Sequence, residues 1–390
     1  MKRLAIVTTH PVQYNAPWFK MLSAFGKIRV KVFYTWSQVQ QEPKFDPGFG
    51  KIIQWDIPLL EGYEFEFVEN ISNEPGSHHF KGIVNPSLNK KIELWNANAI
   101  LVFGWSFKSH LQCLRYFKGK VPVLFRGDST LLDEQPGMKK WMRRFFLKWV
   151  YGSIDYALYV GQNNKNYFLL HGLNEHQLIF APHAVDNDRF YEPDDRYCSE
   201  AISWREKAGI TEKDLVILFA GKLEPKKNPR FLLDIAEKIT SEDLKIVIVG
   251  NGVLEDSLKQ DARDDHRIIF LDFQNQQQMP IVYRMGDIFI LPSNGPGETW
   301  GLAVNEAMAC GCAVMMSDKC GGAIDLIQDG KNGIIFKTND IETSVQFINT
   351  LLANRQTLQN MKMASRRLIT TFSFEQIVKS VETLVENIGE

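Results

Sequence analysis

The chain has 390 residues, more than a single hydrophobic core of ~250 to 300 residues accommodates, so two domains are expected. With 44% hydrophobic and 23% charged residues it has an ordinary globular composition, and a formal net charge of -1 argues against wholesale nucleic-acid binding. Five cysteines without CxxC spacing fit a reducing compartment, and no apolar run approaches the ~18 residues that span a bilayer; the expected location is cytoplasmic, with room for peripheral contact on the inner face of the membrane.

Short apolar segments alternate with longer helical patterns along the whole chain, the pattern of stacked βαβ units. In the first half, strands are predicted at residues 4–8, 30–35, 99–103, 121–125 and 156–160. In the second half they are predicted at 216–220, 245–249, 268–271, 288–291, 313–316 and 333–336. Two such sets predict an α/β protein of two Rossmann-like domains facing a cleft, with ligands beyond the carboxyl ends of the strands. The turn-rich run APHAVDNDRFYEPDD marks the seam, giving expected domains at 1–185 and 186–372. Residues 373–390 form an expected last helix, whose apolar positions Ile377, Val381, Leu384 and Val385 need a surface to cover them.

Several loops carry candidate chemistry. THPVQYNAP follows the first strand and offers His10, Gln13 and Tyr14; RGDST follows the strand at 121–125 and offers Arg126 and Asp128. Polar residues suit loops in any protein, but a place at strand carboxyl ends favours a site. Residues 138–150, MKKWMRRFFLKWV, interleave Lys139, Lys140, Arg143, Arg144 and Lys148 with Trp141, Phe145, Phe146 and Trp149. Such a helix either lies on an anionic bilayer or is an ordinary one whose aromatics are core and whose cations are solvated. Asp186 and Asp188 imitate an acidic metal clamp but sit in the seam, and no metal is expected.

In the second half, GKLEPKKNP places Lys222 and Lys227 after a strand, where lysines can compensate charge on a leaving pyrophosphate or form a solvated basic loop. GNGVLE carries two glycines of a dinucleotide fingerprint, with Glu255 at the third position, and reads better as a turn at a strand end. The most informative stretch is PSNGPGETWGLAVNEAMACG, residues 292–311. Glu298 and Glu306 there flank a strand-to-helix crossing, and the amides of Gly301 and Leu302 lie at the helix start without intrahelical partners. A diphosphate fits the amides, and carboxylates on either side suit sugar hydroxyls. The alternative is a capping Glu298 and a solvent-facing Glu306.

Together, FAGKLEPKKNP, IVGNGVLE, MPIVYRMGDIFILPS and GETWGLAVNEAMACGCAVMMSDKCGG resemble the retaining glycosyltransferases of GT-B fold, in the large family 4 group. PHAVDNDRF resembles the family's interdomain segment, with His183 where an asparagine is usual. FSFEQIVKSVETLV resembles its terminal helix, which crosses back to the first domain, and HPVQYNAP resembles the opening of a bacterial surface-polysaccharide subgroup. The resemblance implies that Glu298 contacts the transferred sugar and Glu306 the ribose. It further implies that Lys222, Lys227 and the amides of Gly301 and Leu302 hold the diphosphate, with Gly221, Thr299 and Trp300 completing the donor site. Lys222 stands in place of a more usual arginine. RGDST occupies the region of the family's first-domain histidine, which makes Asp128 the candidate donor-sugar contact, with His10, Gln13, Tyr14 and Arg126 on the acceptor side.

These readings imply a transferase moving a hexose-like group from a UDP- or GDP-linked sugar to a saccharide or lipid-linked saccharide, without cofactor or metal, in surface polysaccharide or glycolipid assembly. The alternatives are a sugar-nucleotide epimerase or phosphorylase of the same fold, or a binding module that has lost the chemistry.

Overall fold

The computed structural model describes residues 1–40, 44–46, 48, 50–53, 56–191 and 196–388. The chain forms two compact units. The first comprises Met1–Lys44, Pro58–His183 and Phe374–Glu390, and the second Phe45–Ile57 and Ala184–Ser373. Part of the turn-rich run, residues 192–195, lies outside the described residues.

The strands of the first unit are β1 (Arg3–Thr8), β2 (Arg29–Tyr34), β5 (Glu64–Phe67), β6 (Ala99–Phe103), β7 (Val123–Arg126), β8 (Tyr156–Tyr159) and β9 (Leu178–Phe180). They form one parallel sheet in the order β5-β2-β1-β6-β7-β8-β9. A parallel sheet covered on both faces needs nearly continuous apolar strands, and β1 and β6 bury almost every residue. Among the helices of this unit are α1 (Ala16–Phe25), α2 (Leu88–Leu94), α3 (Lys108–Phe117) and α4 (Met138–Tyr151).

The last helix, Phe374–Asn387, packs on α1 and buries Ile377, Val381 and Val385, three of the four apolar positions expected to need cover. Ser380 Oγ donates to the Phe180 carbonyl at 2.7 Å, and Lys27 pairs with Glu382 at 3.4 Å.

In the second unit, β3 (Lys44–Asp46) and β4 (Lys51–Ile53) form a small two-stranded sheet that periodicity did not reveal, because three-residue strands carry no period. This short sheet falls within the expected first domain, whereas nearly all of it groups with the second unit. The main sheet contains β10 (Leu215–Ala220), β11 (Leu244–Val249), β12 (Ile268–Leu271), β13 (Ile288–Leu291), β14 (Ala313–Ser317) and β15 (Gly333–Phe336). Its order is β12-β11-β10-β13-β14-β15, all parallel. Every residue of β10 and β13 is buried.

Each sheet reverses its strand order once, between β1 and β6 in the first and between β10 and β13 in the second. Loops leaving the carboxyl ends of neighbouring strands at such a reversal diverge and open a crevice for ligand.

Candidate functional site

The second unit places both of its marked loops at the reversal. The 221–229 loop leaves β10, and the 292–301 loop leaves β13. They are tied together by the Asn294 amide donating to the Lys226 carbonyl at 3.0 Å. Lys227, at the end of a short 3-10 turn, forms an ion pair with Glu298.

Glu298 is 8% exposed, and its backbone is fixed by the Gly321 amide donating to its carbonyl at 2.9 Å. Ser293 Oγ donates to the same carboxylate oxygen that takes Lys227, Oε2, at 3.0 Å. The other oxygen, Oε1, makes no bond among the described residues and keeps its acceptor capacity. Glu298 therefore does not cap the following helix. Its negative charge holds a lysine at the mouth of the loop.

That helix runs Leu302–Ala309 from Gly301, whose φ of 103° and whose neighbour Leu291, with a side-chain atom 2.6 Å from where a Cβ would lie, admit only glycine. No side chain caps this helix at Gly301, and helix geometry leaves its first amides without intrahelical acceptors. Glu306 is 2% exposed and accepts a 2.6 Å hydrogen bond from the Tyr283 hydroxyl. A solvent-facing Glu306 is thereby ruled out.

Trp300, expected in the donor site, is 3% exposed. Its indole Nε1 donates to Asn305 Oδ1 at 2.8 Å, and its ring packs 5.9 Å from Phe372. This corrects the expectation: the ring is core, and it buttresses the loop. Thr299 and Gly221 are half-buried in the two loops. Lys222 follows Gly221, and its side chain runs over Gly48, where a Cβ would fall 2.6 Å from Nζ.

The glycines of GNGVLE are explained by packing. A Cβ on Gly250, at φ 134°, would lie 2.0 Å from the Gly221 carbonyl oxygen, and one on Gly252 would lie 2.5 Å from that of Leu223. The turn after β11 thus presses against the lysine loop and sets its height. Gly250→Ala is expected to destabilise the second unit by about 3 kcal/mol and to weaken nucleoside diphosphate binding by displacing Lys222. Calorimetric unfolding and a titration with UDP and GDP check both effects.

In the first unit, the loop carrying His10, Gln13 and Tyr14 leaves β1 at the reversal, where all three are half-buried. His10 Nδ1 lies 2.9 Å from Thr9 Oγ1, and its ring meets Trp36 edge-on at 5.5 Å. The matching loop from β6, residues 104–107, was not singled out from sequence. Gly104, Trp105 and Ser106 share with Asp128 the lining of a cavity of about 180 Å³.

Asp128 is half exposed, and one of its carboxylate oxygens is 3.7 Å from Nε2 of His183, the position where the family pattern has asparagine. Burial holds the His183 pKa below its ordinary value, against the pull of Asp128.

Arg126, expected on the acceptor side, is 4% exposed and donates to the carbonyls of Ala181 and Pro182 at 2.8 and 2.9 Å. Burial lowers its pKa to about 10. It is a buried strut, and the acceptor assignment is corrected accordingly. Asp186, one half of the imitation metal clamp, accepts the Arg189 amide at 3.1 Å at the start of a short helix. No group of three or more metal-ligating side chains occurs among the described residues.

On α4, Trp141, Phe145, Phe146 and Trp149 are not core. Leu147, Val150 and Tyr151 face inward, whereas Met138, Trp141, Met142 and Phe145 are 67 to 81% exposed. Lys140 and Arg144 pair with Glu134, each at 2.8 Å, an acid just before the basic segment 138–150. No helix among the described residues is long and apolar enough to cross a membrane.

The two sheets define the GT-B fold seen in solved glycosyltransferase structures. HepE from Anabaena, in complex with UDP, superposes with a TM-score of 0.72 over 100% of both chains at 16% identity. The sucrose-phosphate synthase of Thermosynechococcus elongatus gives 0.72 over 99% of this chain and 98% of its own, also at 16% identity. Residues 200–368 match the family model described as glycosyl transferases group 1.

Curated relatives include a D-inositol 3-phosphate glycosyltransferase of Geodermatophilus obscurus, 29% identical over 54% of this chain. Another is the sulfoquinovosyl transferase SQD2 of Arabidopsis thaliana, 30% identical over 49% of this chain. The matches span 47% and 36% of those two proteins, less than half their length.

Proposed function

We propose that this protein transfers a hexose-like group from a UDP- or GDP-linked sugar to a hydroxyl of a saccharide or lipid-linked saccharide, with retention at the anomeric carbon. The observation that carries the reading is the pairing of Lys227 with Glu298 across the two loops at the sheet reversal, with Glu306 buried in the adjacent helix.

In this reading the helix-start amides at Gly301 and Leu302, with Lys222 and Lys227, neutralise the diphosphate as the bond from the anomeric carbon to its oxygen breaks. Glu306 receives a ribose hydroxyl, and Glu298 offers Oε1 to a hydroxyl of the sugar. The acceptor oxygen bonds to the anomeric carbon on the face the diphosphate leaves, and its proton passes to the departing phosphate oxygen. Asp128 stands by as a sugar contact in the first unit, and His10, Gln13 and Tyr14 as acceptor contacts. Charge compensation by lysines and amides makes a metal unnecessary in this scheme.

Incubation of UDP- and GDP-sugars with and without an acceptor pool tests the reading. Acceptor-dependent product with the donor's anomeric configuration is expected, whereas turnover of donor alone would favour an epimerase.

We further propose that α4 rests on the anionic inner face of the cytoplasmic membrane, where a lipid-linked acceptor would be found. Its outward stripe of Met138, Trp141, Met142 and Phe145, flanked by Lys139, Arg143 and Lys148, supports that placement.

A further inference from the structure

We infer that the groove between α2 and α3 of the first unit binds an acidic saccharide, so that the acceptor chain carries carboxylate or phosphate groups. This rests on the transferase reading above and names the chemistry of its acceptor.

The groove has a volume of about 620 Å³, and none of its lining residues is acidic. Lys108, Gln112 and Arg115 lie at i, i+4 and i+7, on one face of α3. At 1.5 Å per residue the two cations are about 10 Å apart along the helix, a reach that suits successive sugars of a chain better than one inorganic ion. Arg115 is stacked 4.1 Å from the centre of the Trp149 ring, which restrains its planar guanidinium. The Tyr116 hydroxyl is engaged by Glu93 at 2.7 Å, so the side chain is held in place at the groove.

Asn85 forms part of the groove wall. It lines the groove at 5% exposure, and its side-chain nitrogen donates to the carbonyls of Thr35, Val68 and Glu69 at 2.9, 3.0 and 2.9 Å. Those bonds fix the amide. Its Oδ1 is buried and has no partner among the described residues. The cations answer carboxylates or phosphates, and Asn89 and Gln112 offer both donors and acceptors to the remaining hydroxyls.

The test is titration calorimetry of the full chain and of the double variant Lys108→Gln/Arg115→Gln with a galacturonate tetrasaccharide and with maltotetraose. UDP and GDP are titrated in parallel. Both substituted side chains reach solvent, so the fold is expected to persist, with circular dichroism as the check. The galacturonate tetrasaccharide should bind the original protein and bind the variant at least tenfold more weakly, while maltotetraose binds more weakly than the acid to the original and is unaffected by the change.

No binding of the acidic tetrasaccharide, equal binding by both proteins, or full displacement by equimolar inorganic phosphate would overturn the inference. A final arm uses phosphatidylglycerol vesicles without saccharide. Equal co-sedimentation of the two proteins supports a glycan ligand, and loss confined to the variant assigns the cations to lipid headgroups instead. The nucleotide titrations report on the second unit alone, so absent UDP and GDP binding would count against the transferase reading independently of the groove.

Discussion

Glu298→Gln is expected to lower sugar transfer by about 100-fold or more while leaving nucleoside diphosphate affinity within about threefold. The substitution keeps the shape of the side chain and an oxygen for the Ser293 hydroxyl, but it removes the charge that pairs with Lys227. Two losses then coincide. The sugar loses a strong acceptor at Oε1, and Lys227 loses the partner that aims its ammonium between the loops. Both matter most as charge separates at the anomeric carbon, so the effect should fall on kcat more than on KM.

Because Glu298 is nearly buried, removing half of an ion pair also carries some stability cost, and Lys227→Met in the same background should recover stability without recovering turnover. Single-turnover kinetics beside thermal unfolding separates the two. Turnover within threefold of the original protein would remove Glu298 from the chemistry.

Trp141→Ala/Phe145→Ala is expected to reduce partitioning onto phosphatidylglycerol vesicles by about 100-fold or more, with little change in unfolding temperature. Trp141 is 69% and Phe145 81% exposed, so the folded protein gains little from either, whereas burying each in an interface is worth about 1.5 to 3 kcal/mol. Charge contributes about 1 kcal/mol per cation near an anionic surface. Lys140 and Arg144 should contribute less than Lys139 or Lys148, because Glu134 already neutralises part of their charge. Co-sedimentation at two salt concentrations checks both parts, the salt-sensitive share following the cations and the remainder the aromatics. Unchanged partitioning of the double variant would leave α4 without a membrane role.

The fold was legible wherever a strand is a largely apolar run, in sheet centres and at the edge strands β12 and β15 alike. Predicted and observed limits coincide at Ala99–Phe103, Ile268–Leu271, Ile288–Leu291 and Gly333–Phe336, because a continuous apolar run bounded by turn residues leaves one reading. The edge strand Glu64–Phe67 escaped because its alternating acids and aromatics make a short pattern instead of an apolar run. The site was legible as loops but not as contacts. Glu298 and Lys227 are 71 positions apart, and Glu306 and Tyr283 are 23 apart, separations at which no spacing rule operates. Trp300 and Arg126 were misplaced for a shared reason. Both residue types serve ligands and interiors alike, and only the partners they meet, Asn305 for one and two backbone carbonyls for the other, decide between the two.

The first unit takes its final layer from Phe374–Asn387, some 190 residues beyond the end of its main segment at His183. During synthesis its sheet can assemble early, yet the apolar side of α1 stays uncovered until that distant stretch emerges from the ribosome. The nascent half-protein is therefore a natural client for chaperones, and cutting the chain just before Phe374 would cripple the unit made first rather than the one made last.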